Sequence, residues 1–156
     1  MAVTGTSSLG MRLGWCVGDA STVPTSGTFT WLTRVNNIGE ISLDTNTIDS
    51  SALEDFEDKF IAGRAGTPGN IPITINATPD TMDEWAAVFA ASAANNGVWM
   101  QEWSPQDPTQ SAFYFVQTPQ KFPKPAGEQN ALRTVEIQCA VVNYAGYAPA
   151  VDAPSA

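Results

Sequence analysis

Residues 36–76, NNIGEISLDTNTIDSSALEDFEDKFIAGRAGTPGNIPITIN, decide how this chain is read. At their far end Ile71, Ile73, Ile75 and Ala77 alternate with Pro72, Thr74 and Asn76, the period-two pattern of a strand with one apolar and one polar face. Pro72 places the start of that strand at a bulge or an edge. At their near end they complete FTWLTRVNNIGEI, Phe29 to Ile41, which reads as one long strand with a bulge at Asn37 to Gly39. Between the two lies an insertion from Leu43 to Asn70, far longer than the roughly 4–6 residues of an ordinary connection. It carries Leu53, Phe56, Phe60 and Ile61 among the acids Asp49, Glu54, Asp55, Glu57 and Asp58, with Lys59 near its end, so it reads as an ordered contact device. Ser51-Ala52-Leu53-Glu54 fits a capping box, from which a short helix is expected with Leu53, Phe56 and Phe60 on one face. That stripe covers either the domain's own core or another subunit, and the residues leave both open.

Outward from this stretch the chain is strand-rich. Met11 to Val17 fits a first strand, followed by the turn-rich connector Gly18 to Gly27. Pro79-Asp80-Thr81 opens the one long helix, with Thr81-Met82-Asp83-Glu84 as its capping box. Its apolar face is Met82, Trp85, Ala86, Phe89, Ala90 and Ala93, and Asn95-Asn96-Gly97 is its stop. Val98 to Trp103, Ser111 to Thr118 and Leu132 to Val142 are further strands, the last with Val135, Ile137, Cys139 and Val141 facing inward. The expected fold is mainly β: an antiparallel β-sandwich or barrel of about six or seven strands with one packed α-helix and a long inter-strand loop. Residues 1–10 read as an N-terminal arm, 11–144 as the domain, and the Ala/Pro-rich 145–156 as a C-terminal arm.

Composition narrows the function. Seven basic residues against sixteen acids give a net charge of −9, the wrong sign for binding nucleic acid by phosphate neutralisation. With no histidine, the commonest general base, its catalytic triads and most zinc or haem ligation are gone. No catalytic residue, metal ligand or cofactor is therefore assigned, and the chain is read as no enzyme. Cys16 and Cys139 read as free thiols of a reducing cytoplasm. The opening residues lack a signal-peptide pattern, and no stretch approaches the roughly 20 apolar residues of a membrane span.

The order of motifs is distinctive: Val35-Asn36-Asn37-Ile38-Gly39-Glu40-Ile41, then Ile48-Asp49-Ser50-Ser51-Ala52-Leu53-Glu54, then Phe60-Ile61-Ala62-Gly63, then Gly69 to Asn76, a helix and a strand pair. This set resembles the major tail tube protein of long-tailed bacteriophages, across roughly residues 29–142. The resemblance implies a β-sandwich that forms homo-hexameric rings stacked into a tube in the virion tail, assembled in the host cytoplasm. It implies tape measure and tail-terminator or tip proteins as partners, with DNA passing through the lumen unbound and no membrane. It also implies that residues 43–70 form the stacking loop against the next ring, with Asp49 and Leu53 through Ile61 in contact. Thr74, Asn76, Glu136 and Gln138, on the wet sides of apolar strands, are candidates for the lumen wall, or they face outside solvent.

Two other readings compete. Five tryptophans, Trp15, Trp31, Trp85, Trp99 and Trp103, are a possible sugar-stacking platform for a carbohydrate-binding β-sandwich module. The pair Asp49 and Glu54 invokes a glycosidase dyad, but dyads need a cleft and a set spacing.

Overall fold

The computed structural model describes residues 10–42, 45–54, 56–57, 59–65 and 69–154. The N-terminal arm expected over residues 1–10 falls, except for Gly10, outside the described residues. Nine strands and one helix follow in order: β1 (Arg12–Cys16), β2 (Thr30–Trp31), β3 (Val35–Ile38), β4 (Thr45–Asp49), β5 (Phe60–Ala65), β6 (Asn70–Asn76), α1 (Pro79–Asn95), β7 (Val98–Ser104), β8 (Asp107–Gln117) and β9 (Thr134–Pro149). Seven of them form one antiparallel sheet in the order β2-β1-β7-β8-β9-β6-β3, and β4 pairs with β5 alone. The mainly β expectation, with one packed helix, holds.

The long strand expected over Phe29 to Ile41 is two. β2 and β3 occupy opposite edges of the sheet, yet only Leu32, Thr33 and Arg34 separate them. Leu32 N–H donates to Leu13 O on β1 (2.8 Å), and Arg34 O accepts from Asn76 N–H at the end of β6 (3.1 Å). Two residues of extended chain reach about 7 Å at most. The sheet must therefore curl until its edges nearly meet, giving a half-barrel. Arg34 makes the crossing at φ 55°, a left-handed conformation that costs a non-glycine residue about 1 kcal/mol. Thr33 donates both its N–H (3.2 Å) and its hydroxyl (3.0 Å) to the Glu84 carboxylate, tying the crossing to α1. The bulge expected near Asn37 lies slightly earlier, between Val35 and Asn37.

Alternation explains the inner core. Ile71, Ile73 and Ile75 of β6 sit in register with Cys139, Ile137 and Val135 of β9, all buried with Leu13, Met100, Tyr114 and Val116. α1 fills the concavity. Its buried positions are Thr81, Trp85, Val88 and Ser92, whereas Met82, Ala86, Ala90 and Ala93 are exposed, so the inward face is rotated from the one expected. The cap also moves: Thr78, not Thr81, is the N-cap, and Thr81 N–H donates to its hydroxyl (3.2 Å). The reciprocal bond comes from a threonine at N3 in place of glutamate, which frees Glu84 to hold Thr33. Asn96 ends the helix in the left-handed conformation, and Gly97 follows at φ 130° where a Cβ would come within 2.5 Å of the Phe115 ring.

Pro72 is not on an edge strand, but its expected irregularity is there. Its carbonyl accepts from Gly39 N–H (2.7 Å) just where β3 leaves β6, and a Cβ on Gly39 would clash with the proline ring at 2.4 Å. On the convex side Phe29, Trp99, Phe113, Phe115 and Val151 form a second core beneath the 18–29 connector and the C-terminal segment. Trp99 Nε1–H donates to Asp19 O (2.7 Å), and the buried Gln101 amide clasps the Val151 backbone on both sides (2.7 and 3.0 Å). Residues 145–149 thus continue β9, and Val151 and Asp152 are docked, within the segment that the Ala/Pro-rich composition suggested as an extended C-terminal arm. Cys16 and Cys139 are free, burial pushing their thiols up to about 11 and about 12.

These features make two stability changes separable by urea denaturation. Thr78→Ala should cost about 1 kcal/mol through the lost cap, and Trp85→Ala about 3–5 kcal/mol through the cavity it leaves under α1.

Candidate functional site

The insertion is a two-stranded arm, not a helix. β4 and β5 pair from Thr45↔Ala65 to Asp49↔Phe60, and Ser50 to Lys59 close the tip. Ser51, expected to cap a helix, instead bridges the loop: its hydroxyl accepts from Lys59 N–H (2.6 Å), while Ser50 N–H donates to Lys59 O (2.7 Å). Asp49 accepts from Ser51 N–H (2.9 Å), and that bond holds its carboxyl below the usual carboxylate range. A hydroxyl and an acid already committed across the hairpin mouth leave no cap for a helical turn. Strand pairing of Asp49 with Phe60 fixes the same outcome from the other side.

At the tip Leu53 and Phe56 are 107% and 104% exposed, and Phe60 and Ile48 are more than half exposed. The apolar stripe therefore does not belong to the chain's own core. Glu54 and Glu57 are exposed beside it, and Ile61 lies in β5 opposite Ile48. Asp55 and Asp58 lie outside the described residues.

The second group of sequence-chosen residues falls on one face of the sheet. Thr74 is opposite Glu136, Pro72 opposite Gln138, and Asn76 opposite Thr134. Glu136 and Gln138 are exposed and hydrogen-bonded to each other, and Thr74 and Asn76 are half-buried. The arm and this face are distinct surfaces.

A third feature escaped the sequence reading. Glu102 is half-buried on the concave side of β7, at the mouth of the half-barrel, and lines cavities of about 140 and 310 Å³. Burial pushes its carboxyl up to about 7. Tyr114 sits nearby, 1% exposed, and its hydroxyl has no hydrogen-bond partner among the described residues. The available signal was Gln101-Glu102, two polar residues inside the otherwise apolar strand VWMQEWS. Of the five tryptophans Trp85, Trp99 and Trp103 are buried and Trp15 and Trp31 half-buried. Among the described residues no cluster of three or more His, Cys, Asp or Glu is placed to hold a metal ion. No described helix is long and apolar enough to cross a membrane.

No protein-family model matches the chain, and no curated protein matches it. Solved structures do. A chain from the tail of an empty gene transfer agent particle, refined with C6 symmetry, superposes with a TM-score of 0.57 at 14% identity, covering 94% of this chain and 99% of that one. The SPP1 tail tube matches at TM-score 0.56 and 11% identity, over 91% of this chain and 78% of that one. A chain from the six-fold symmetrised baseplate of the anti-feeding prophage matches at 0.52 and 10%, over 97% and 99%. The chain thus has a fold found in the subunits of phage-tail-like particles.

The Glu102 environment sets a pH dependence. Its folded pKa, about 7, lies above the ordinary carboxylate value of 4.5, so the folded chain binds the extra proton between those values. Stability then falls as pH rises from about 4.5 to 7 and levels off above. Glu102→Gln should stabilise the isolated chain by up to about 3 kcal/mol at pH 8 and leave it unchanged at pH 4, in urea melts at both pH values.

Proposed function

We propose that this chain is a structural, non-enzymatic subunit of a phage tail tube, forming hexameric rings that stack into a conduit for DNA. The observation that carries the reading is the projecting arm with an uncovered apolar tip, on a fold shared with chains of a C6-symmetric tail. Leu53 and Phe56 act as anchors that bury against the adjacent ring, and the remaining residues of the 43–70 segment surround them. A surface on the arm that meets a different surface on the next copy is a head-to-tail contact, which does not close on itself and so propagates. The half-barrel's two edge strands, β2 and β3, offer unpaired backbone groups for joining neighbours within a ring.

The lumen in this reading is lined by the polar face of β6 and β9, with Thr74, Asn76, Glu136 and Gln138. Acidic charge there repels the phosphate backbone over about 8 Å in physiological salt, enough to keep DNA from adhering while it passes. Tape measure and tail-terminator or tip proteins are the further partners that such a tube requires, in a virion assembled in the host cytoplasm.

Negative-stain microscopy of the concentrated protein tests the proposal. Rings and tubes should form with the native chain, and Leu53→Asp/Phe56→Asp should abolish them without lowering the melting temperature of the monomer. Persistent monomers of the native chain under all conditions, including in tails, would sink the reading. For the lumen, Glu136→Lys should leave tube assembly intact and slow DNA delivery in an infection assay; undiminished delivery removes Glu136 from the wall.

A further inference from the structure

The mouth of the half-barrel holds a polar site that no described residue completes. Glu102, Ala112 and Tyr147 are aligned across β7, β8 and β9, with Met100, Tyr114 and Tyr144 in the row beside them, all on the concave face. β6 begins only opposite Ala140, so this part of the face is bounded by the segment Ile38 to Ile41 and left open as a cavity of about 310 Å³. Its titratable lining is Glu40, Glu102, Tyr114, Tyr144 and Tyr147, and no basic residue is among the described side chains around it. A half-buried carboxylate without a cation and a buried hydroxyl without a partner among the described residues, together with three aromatic rings, are the recognition elements for an ammonium or guanidinium group. The carboxylate supplies charge, the Tyr114 oxygen an acceptor, and the rings cation–π attraction.

We propose that the Glu102–Tyr114 mouth is a socket for a lysine side chain, donated by Lys121 or Lys124 of a second copy. This rests on the stacked-tube reading. β3 runs toward the mouth and into the arm, whereas β8 runs the opposite way and exits at Gln117 into the loop that carries both lysines. That loop leaves β8 opposite Ala140 and enters β9 at Thr134, opposite Asn76, so both its ends lie on the side of Tyr144 away from Glu102 and Tyr147, as a head-to-tail stack demands. Both lysines are exposed, and neither is in an ion pair among the described residues. The burial that raises the Glu102 pKa in the isolated chain is the cost that an incoming cation offsets.

Two measurements on the full chain test this. With the monomer at pH 8, 50 mM n-butylammonium chloride should raise the melting temperature by about 2 °C over matched sodium chloride, and Glu102→Gln should erase that shift. No shift, or an equal shift in the variant, overturns the socket. For the source of the cation, Glu102→Gln and Lys121→Gln/Lys124→Gln should each raise the critical concentration for tube formation about tenfold, and together no further. Normal assembly of either variant, or effects that multiply, overturns the assignment to the second copy's lysines. A native chain that never assembles defeats the tail-tube reading instead, and the butylammonium titration still decides the socket.

Discussion

The crossing at Leu32, Thr33 and Arg34 is the constraint on which the rest of this structure depends. A seven-stranded antiparallel sheet has two distant edges, and here consecutive strands of the chain form both of them. Because only three residues span the gap, the sheet is forced to curl, and the curl creates a concave face deep enough for α1. Glu84 returns the constraint by holding Thr33 from the helix side. Curl, helix seating and the left-handed Arg34 are thus one cooperative arrangement, not three separate features.

That curl also distributes function over the molecule. One portion of the convex face is closed by the connector and by Val151 to Asp152, which gives β1, β7 and β8 apolar residues on both sides. The other portion, over β6 and β9, stays polar on its outer side. The mouth remains open because β6 and β9 overlap only partly, leaving Glu102 and Tyr114 without covering strands. β3 ends and β6 begins at the same region, so the β4–β5 insertion departs from beside the mouth.

Much of this was legible in the residues. Period-two alternation in Ile71 to Asn76 and in Val135 to Val141 placed two central strands and their wet faces correctly, because side chains on a strand must alternate. The helix at residues 79–95 was equally plain, yet its rotation was not. Trp85 and Phe89 fit either an inward face through Met82 and Ala86 or one through Thr81 and Val88. Small alanines are compatible with both, so only packing against the sheet chose between them. The insertion was read as acidic, with large apolar residues on a helical face, and the structure instead pairs β4 with β5 and leaves Leu53 and Phe56 exposed. Its helix failed because Ser51-Ala52-Leu53-Glu54 satisfies a local capping pattern, whereas the hydroxyl found a partner across the loop at Lys59.

What the sequence determined by itself was everything set by local periodicity and composition: strand faces, one long helix, an acidic chain without histidine, and an insertion too rich in large apolar residues to be a mere linker. Only the tertiary structure decided that FTWLTRVNNIGEI splits between opposite sheet edges, that the C-terminal residues close the convex core, and that Leu53 and Phe56 are left uncovered. It also assembled the Glu102–Tyr114 mouth from strands distant in sequence. The reason is physical: alternation and capping act over a few neighbouring residues, whereas edge assignment, curl and cavities arise from which strands pair. Pairing is settled by the summed burial of the whole chain.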